Sequence, residues 1–339
     1  MFFKAGLKAL RRRASGLFER AWDCAFFVGG RLLRSRARPW SSTGRERVVI
    51  IAPHPDDETI ACSGTILRHI QAGDQVVVVI ATDGRRSMAA ATADEVAAIR
   101  KNEAMEAARR LGIKPFEWLG LPEGAWEVPE LEALLIEVLG RHEPTVIYAP
   151  SRVDFHPEHL AVAHTLARML DSMPVSPGVQ ARVRVYQVQV PLTRILTNVV
   201  VDLSSVLAQS VAALRAYASQ AGPVEGVHRR RRYGAFSHRI RGSVEEFWEL
   251  TVGQYAALHG APSVEWGGKF RGMRRFAWTD PLAYLRGNAE RRRLHNSSSA
   301  MPDAQPAHEL RFHHGHERNS VYEFAHVRPP GRKYDQQFC

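Results

Sequence analysis

Two short polar segments hold the side chains of this chain that are best suited to catalysis. The first is "PHPDDE" at residues 53–58, and the second is "DFHPEH" at residues 154–159. Histidine and carboxylate groups bind zinc in hydrolases and also transfer protons. Taken singly, the acids of either segment could merely cap a helix or a turn. Taken together, each after an apolar run, the two segments predict a metal-dependent catalytic site.

The spacing within these segments favours a particular set of metal ligands. His54 and Asp57 lie three residues apart at a predicted strand-to-helix turn, and His159 would complete a set of two histidines and one carboxylate. A zinc ion held in this way keeps a position for water, whose pKa it lowers towards ~7. The spacing alone does not decide whether Asp56 or Asp57 is the ligand.

The other polar residues of the two segments fit roles in amide hydrolysis. The side chain of Asp56 is expected to point in a different direction from that of its neighbour Asp57. Asp56 is therefore free to take the proton of the attacking water. His156 could polarise the carbonyl, stabilise the oxyanion or protonate the leaving amine. Asp154 is expected to orient one of the imidazoles through a hydrogen bond.

Alternating strands and helices are expected to position both segments. Continuous β-branched runs at 47–51 and 75–82 are typical of buried strands. Thr92 and Glu95 form a capping box that predicts the start of a helix, and Gly112 predicts its end. The other predicted elements are helices at 59–72, 129–144 and 204–220 and strands at 145–150, 182–190 and 198–203.

This alternation predicts one α/β domain with a mostly parallel sheet and helices on both faces. Ligands of such open sheets bind outside the carboxyl ends of the strands, where both polar segments are expected to lie. We predict three parts: a basic N-terminal extension and linker at 1–46, a catalytic domain at 47–260, and a basic, partly disordered C-terminal extension at 261–339.

The positive charge of the chain lies in its two ends. The net charge is +11, and residues 1–46 carry eleven Lys/Arg against three Asp/Glu. Residues 261–339 carry thirteen against eight, so the central part, 47–260, has a net charge of −2. This distribution argues against a nucleic-acid enzyme, whose groove must be basic. The run "HRRRRYG", which begins at His228, is interpreted as a solvated surface, with phosphate or acidic-lipid binding as the alternative.

The N-terminal extension has the pattern of a basic amphipathic helix. Apolar residues recur at three- and four-residue steps from Phe3 to Ala21, with Lys and Arg residues among them. Such a helix would lie on an anionic membrane surface or dock on its own domain. The run "CAFFVGG" is too short to span a bilayer, and three scattered cysteines suit a reducing compartment. We therefore expect a cytoplasmic protein, peripheral at the inner membrane face if this helix binds lipid.

The two polar segments resemble those of a known family. "PHPDDE" with a distal "HPEH" is similar to the zinc-dependent deacetylases named after the N-acetylglucosaminyl-phosphatidylinositol de-N-acetylase, the PIG-L family, which includes bacterial LmbE-like proteins. Further similar segments are "ATDG" at 81–84, "IRKNEAMEAARRLG" at 99–112, "WLGLPEG" at 118–124, "PTVIYAP" at 144–150 and "LRAYASQ" at 214–220. The resemblance implies a Rossmann-like three-layer fold in which His54, Asp57 and His159 bind zinc. It also implies that Asp56 is the general base and that His156 stabilises the oxyanion or acts as the acid.

Two features differ from the family pattern. "HPEH" stands where HPDH is common, and Arg85 and Arg86 follow "TDG" where an acid is common. The two arginines would form a basic rim suited to an anionic substrate, so they are candidate substrate-binding residues.

Residues and resemblance together predict a zinc-dependent amide hydrolase that removes an acetyl or other acyl group from the nitrogen of an amino sugar or its conjugate. Another divalent metal is the alternative to zinc. Two other functions fit the sequence: a membrane-surface adaptor with a non-catalytic metal site, and an amidase acting on a non-sugar or glycoside conjugate. The sugar, the acyl group and the oligomeric state are left open.

Overall fold

An eight-stranded sheet forms the centre of the protein. The computed structural model describes residues 20–29, 32, 35–88, 91–114, 116–172, 175–176, 181–220, 223–260, 284–301 and 309–310. The strands are β1 (Arg38–Pro39), β2 (Arg47–Ala52), β3 (Gln75–Thr82), β4 (Phe116–Leu121), β5 (Val146–Ala149), β6 (Val175–Ser176), β7 (Arg182–Val185), β8 (Val199–Asp202), β9 (Val244–Thr251) and β10 (Glu309–Leu310). The order in the main sheet is β1-β8-β9-β7-β5-β2-β3-β4, and β10 pairs with β6 separately.

Helices cover both faces of this sheet. They are α1 (residues 20–29), α2 (Asp57–Ala72), α3 (Ala93–Leu111), α4 (Val128–His142), α5 (Pro157–Ser172), α6 (Thr193–Leu196), α7 (Leu207–Leu214), α8 (Pro223–His238), α9 (Val252–Gly260) and α10 (Asn288–Ala300). Val49 and Ile51 of β2 pack in one core cluster with α4, α5 and α9, and Val48 and Ile50 pack in another with α2, α3 and α7. Because successive residues of a strand face opposite sides, the continuous β-branched runs fill both cores.

The sheet confirms the predicted fold class, a mostly parallel α/β sheet between two layers of helices. All strand pairs in it are parallel except those of β9, which is antiparallel to both β7 and β8. The capping box of Thr92 and Glu95 is present, and Gly112 ends α3 in the left-handed conformation. These signals were sufficient to predict both ends of α3, because each depends only on the backbone within a few residues of it.

Several elements differ from the sequence-based expectation. The alternating run predicted as a strand over 182–190 pairs only as far as Val185, which lies opposite Ala149 at the end of β5. The helix predicted over 204–220 is α7 followed by a 3-10 turn at Ala218–Gln220. Strands β4 and β9 were not predicted. The alternation of "RVRVYQVQV" continues beyond the point where the neighbouring strand stops offering partners, so periodicity overestimates the length of β7.

Parts of both predicted extensions pack on the central domain. Strand β1 pairs with β8, and helix α10 packs against α6 and α9. In α1, the Phe26 ring stacks on Tyr233 of α8 at a centroid distance of 4.4 Å, and Asp23 forms an ion pair with Arg232. The amphipathic pattern before residue 20 lies outside the described residues, so the membrane-binding alternative and the division into three parts stay predictions. None of the described helices combines the length and apolarity needed to cross a bilayer.

The arginine run that begins at His228 is not simply a solvated surface. Arg230 and Arg231 are buried within α8. Arg230 donates hydrogen bonds to the carbonyls of Val188 and Ile60, and Arg231 pairs with buried Glu245 of β9. The interpretation as a solvated charge run was therefore wrong for these two residues, whose guanidinium groups hold α8 against the rest of the fold.

Candidate functional site

The two polar segments meet at the carboxyl ends of neighbouring strands. Segment 53–58 leaves β2 and enters α2, and segment 154–159 lies between β5 and the first turn of α5. Strands β2 and β5 are parallel neighbours, with Ile50 opposite Tyr148, so both segments emerge at one edge. The first turn is fixed by Thr82 of β3, whose backbone N–H and hydroxyl both donate to the carbonyl of Pro53, at 2.9 and 2.8 Å.

Three side-chain atoms that could bind a metal converge at this edge. His54 Nδ1 lies 3.3 Å from Asp57 Oδ2 and 3.2 Å from His159 Nε2, and His159 Nε2 lies 3.1 Å from Asp57 Oδ2. All three side chains are buried or nearly so. Ligand atoms held about 2.0–2.1 Å from a tetrahedral zinc ion are separated by about 3.3 Å, so this triangle has the dimensions of a zinc site. The two-histidine, one-carboxylate donor set therefore fits the metal predicted from the sequence.

Asp154 orients His159 towards this triangle. His159 Nδ1 lies 3.0 Å from Asp154 Oδ2, so in the neutral ring that binds a metal Nδ1 would donate to Asp154 and the Nε2 lone pair would face His54 and Asp57. Burial alone would lower the pKa of His159, but Asp57 and Asp154 outweigh it and raise that pKa well above its usual value. The second oxygen of Asp154 accepts the backbone N–H groups of Phe155 and His156, at 2.6 and 2.9 Å. One buried carboxylate thus organises the whole second segment.

Asp154→Asn is expected to weaken zinc affinity by about 10- to 100-fold, since a partner of this kind fixes the tautomer and raises the basicity of a ligating histidine. The measurement is a zinc titration against a competing chelator. Asp74→Asn is the matched control, because Asp74 and His69 form a similar buried pair, at 2.6 Å, outside the site. Equal zinc affinities in the parent and the Asp154 variant would contradict the role of Asp154.

Asp56 has surroundings different from those of Asp57. Its φ angle is 117°, in the left-handed region, and its side chain makes no capping hydrogen bond to α2. Asp56 Oδ1 instead lies 3.3 Å from Nη2 of Arg100, which also donates to the carbonyl of Pro55. A non-glycine residue at such an angle costs about 1–3 kcal/mol, which the surrounding contacts must offset. The interpretation of Asp56 as a simple helix cap is therefore excluded.

The two adjacent aspartates have different pKa values, because the histidines act on Asp57 more strongly than on Asp56. Burial raises the pKa of Asp56 to about 7, although the charge of Arg100 opposes the rise. Burial acts in the same direction on Asp57, but His159 and His54 outweigh it and hold the pKa of Asp57 well below its usual range. A pKa near neutrality is the property expected of a proton acceptor, and a charged carboxylate is the form that binds a metal.

Arg100, Glu58 and Tyr217 support this site and were not predicted from the sequence. Glu58 accepts the backbone N–H of Asp56 at 3.1 Å and the hydroxyl of Tyr217 at 2.6 Å. The Tyr217 ring in turn lies 5.8 Å from the Arg100 guanidinium. A signal for Arg100 was present: it is four residues from both Val96 and Ala104, within the buried stripe of α3.

His156 lies beside the ligand triangle. Its ring centroid is 4.8 Å from that of His54 and 4.7 Å from that of His159. Each of the three histidines, His54, His156 and His159, has a ring nitrogen within 4.8 Å of a ring nitrogen of the other two. His156 can therefore reach either the metal position or a group bound to it. Its catalytic role stays a prediction.

The rim of the site is formed by two further loops. Glu123 accepts the backbone N–H of Arg86 through Oε2 at 2.8 Å, and its Oε1 lies 3.6 Å from His54 Nε2. Glu158 is the residue of "HPEH" at which the family pattern commonly has aspartate. It accepts hydrogen bonds from the N–H groups of Gly124 and of the Trp126 indole, at 2.9 and 2.6 Å. The acid in this position therefore anchors the loop after β4 to α5.

A second group of possible ligands lies at the opposite end of the sheet. Glu46, His69 and Asp74 have ligand atoms within 4.8 Å of one another. Both nitrogens of His69 have partners, however: Nδ1 donates to Asp74, and Nε2 accepts from the Tyr148 hydroxyl at 2.9 Å. We interpret this group as a buried hydrogen-bonded cluster, because His69 offers no lone pair to a metal.

Comparisons with known proteins find similarity to deacetylases. A family model described as GlcNAc-PI de-N-acetylase matches residues 49–170, which include both polar segments. A Bacillus anthracis protein named "Probable N-acetyl-alpha-D-glucosaminyl L-malate deacetylase 2" is 31% identical over 137 residues, which are 38% of this chain and 60% of the relative. The chain thus spans about three fifths of the length of that relative.

Two solved structures extend the likeness. The N,N'-diacetylchitobiose deacetylase from Pyrococcus horikoshii has a TM-score of 0.54 at 21% identity, with 64% of this chain and 87% of that chain covered, and supports the fold. The conserved protein TT1542 from Thermus thermophilus has a TM-score of 0.50 at 30% identity, with 60% and 93% covered. The family match on the residues that carry the site confirms the resemblance: residues 49–170 are similar to the PIG-L/LmbE-like deacetylases.

Proposed function

We propose that this protein is a zinc-dependent hydrolase that removes an acetyl or other acyl group from the nitrogen of an amino-sugar conjugate. The observation that carries this proposal is the triangle of His54 Nδ1, Asp57 Oδ2 and His159 Nε2, with edges of 3.1–3.3 Å. These three residues would hold the metal. When bound there, zinc lowers the pKa of water and polarises the amide carbonyl.

The side chains around the triangle divide the proton transfers between them. Asp56 takes the proton of the attacking water, and Arg100 holds its carboxylate in place at 3.3 Å. His156 faces the ligand triangle from the other segment, where it stabilises the oxyanion and supplies a proton to the departing amine. The products are a free amine and a carboxylate, acetate in the simplest case.

The choice of an amino-sugar substrate is supported by what the relatives are named for. The family model carries the description of an N-acetylglucosamine deacetylase, and the Bacillus anthracis relative is named for an N-acetylglucosaminyl conjugate of L-malate. Both names describe an acetylated amino group on glucosamine that is joined to a second group. We therefore propose that the substrate of this protein also has an acetylated amino group on glucosamine that is joined to a second group.

The test combines metal content with amine release. Purified parent protein is expected to contain about one zinc per chain and to release amine from N-acetylglucosamine conjugates. His159→Ala is expected to lose both, because it removes one of three ligands. His164→Ala is the matched control, because it removes an imidazole from the same helix, α5. Nδ1 of His164 is hydrogen-bonded to the His259 carbonyl at 3.2 Å. Zinc binding that survives in the His159 variant would contradict the proposed site.

A further inference from the structure

The two arginines of the rim differ in what they contact. Arg85 Nε donates to Asp83 Oδ2 at 2.7 Å, and Arg85 Nη1 lies 3.7 Å from Asp94. The charge of Arg85 is therefore compensated by acids of its own loop and of the first turn of α3. Arg86 is exposed, and among the residues that the structure describes no carboxylate forms an ion pair with its guanidinium. Of the two, Arg86 thus keeps its charge available to a ligand.

Arg86 is also tied to the metal site. Its backbone N–H donates to Oε2 of Glu123 at 2.8 Å, and the other oxygen of the same carboxylate lies 3.6 Å from the His54 ring. One carboxylate therefore separates the Arg86 backbone from a proposed zinc ligand. Arg86 therefore lies at the rim of the site in which an acetamido group would meet the metal.

The position of the Arg86 guanidinium is prepared by the neighbouring loop. The guanidinium lies over Gly124, where a Cβ would collide with it, and Gly124 has a φ of +71° that side chains other than glycine rarely adopt. Glu158 holds this loop through the N–H of Gly124 at 2.9 Å. The glycine thus provides the space that the guanidinium occupies, and the loop that carries it is fixed to α5.

We infer that Arg86 binds an anionic group, a carboxylate or a phosphate, on the part of the substrate that is attached to the amino sugar. This inference rests on the proposed function and narrows its substrate to an anionic conjugate. A guanidinium presents paired N–H donors that match both anions, and Arg86 has no competing carboxylate partner among the described residues. Arg85 is less suited to the role, because Asp83 already pairs with its Nε and Nη2.

The test compares anionic and neutral substrates in zinc-loaded protein. The anionic probes are N-acetylglucosaminyl L-malate, which carries carboxylates, and N-acetylglucosamine 1-phosphate; the neutral probe is N,N'-diacetylchitobiose. Arg86→Gln is expected to lower kcat/KM on the preferred anionic probe by about 10-fold, mainly through KM, and to change that on the neutral probe by less than about 2-fold. Arg86→Lys should keep part of the preference, since it keeps the charge.

Arg109→Gln is the control for net charge, because Arg109 is an exposed arginine of α3 paired with Glu106 at 2.7 Å. Calorimetric binding of each probe to the parent and to both glutamine variants gives a readout that does not require turnover. Binding of an anionic probe that depends on Arg86, without amine release, would sustain this inference and overturn the proposed function. Equal affinity and equal kcat/KM for anionic and neutral probes, or a preference that survives in Arg86→Gln, would overturn the inference. No binding of any probe would overturn both.

Discussion

Asp56→Asn is expected to lower kcat by about 10³-fold while the protein keeps its zinc. In the parent structure, Arg100 Nη2 lies 3.3 Å from Asp56 Oδ1. The asparagine amide has the shape of the carboxylate and keeps an oxygen for this contact, so we expect the turn before α2 to keep its structure. The amide cannot take a proton from water, which removes the proposed base. Amine release and zinc content are measured on the same preparation.

Asp57→Asn is the matched control, because it makes the same change one residue away. Asp57 Oδ2 lies 3.1 Å from His159 Nε2, within the ligand triangle, so this variant should lose zinc as well as activity. The two variants thus separate proton transfer from metal binding. Full activity in Asp56→Asn, or zinc loss in both variants, would contradict the division of roles between the two aspartates.

Glu245→Gln is expected to lower the free energy of unfolding by about 3–5 kcal/mol, because it leaves the buried Arg231 guanidinium without a counter-charge. Both side chains are almost fully buried: Glu245 is 2% exposed and Arg231 is 1% exposed. Glu245 also accepts the Thr65 backbone N–H at 2.7 Å and the Thr65 hydroxyl at 2.6 Å, so it joins α2, α8 and β9. Urea unfolding measures the change.

Glu137→Gln makes the same substitution in an exposed ion pair. Glu137 lies 3.0 Å from Arg141 on α4, and its side chain is 66% exposed. Solvent screens such pairs, so we expect a change of no more than about 0.5 kcal/mol. If the two glutamine variants unfolded at the same urea concentration, the buried pair would have no special role in stability.

The convergence of His54, Asp57 and His159 could be predicted because it depends on few steps. Each segment follows an apolar strand, and in a parallel sheet the carboxyl ends of neighbouring strands share an edge. Residue type then limits what the meeting side chains can do. The strand pairing of β2 with β5 brings the two segments together, while the catalytic roles await the substitutions above.

Arg100 and Arg231 could not be assigned by the same reasoning. Both are charged residues at buried helical positions. Arg100 contacts Asp56 and the Pro55 carbonyl, and Arg231 pairs with an acid on β9. Charge patterning assigns such residues to solvent, since it contains no information on distant acceptors. Strand β9 was missed for the same reason: its buried acids Glu245 and Glu246 interrupt the apolar pattern that predicts a strand.

The two-residue strand β1 has a consequence for how separate molecules behave. It covers the outer side of β8, where Arg38 N–H donates to the Asn198 carbonyl at 2.9 Å and Trp40 N–H donates to the Val200 carbonyl at 2.8 Å. Pro39 between them has no N–H to offer outward, and proline on an edge strand prevents further strand addition. A chain shortened to begin at residue 47 would expose the apolar edge of β8, so its molecules would be prone to pair edge to edge and aggregate.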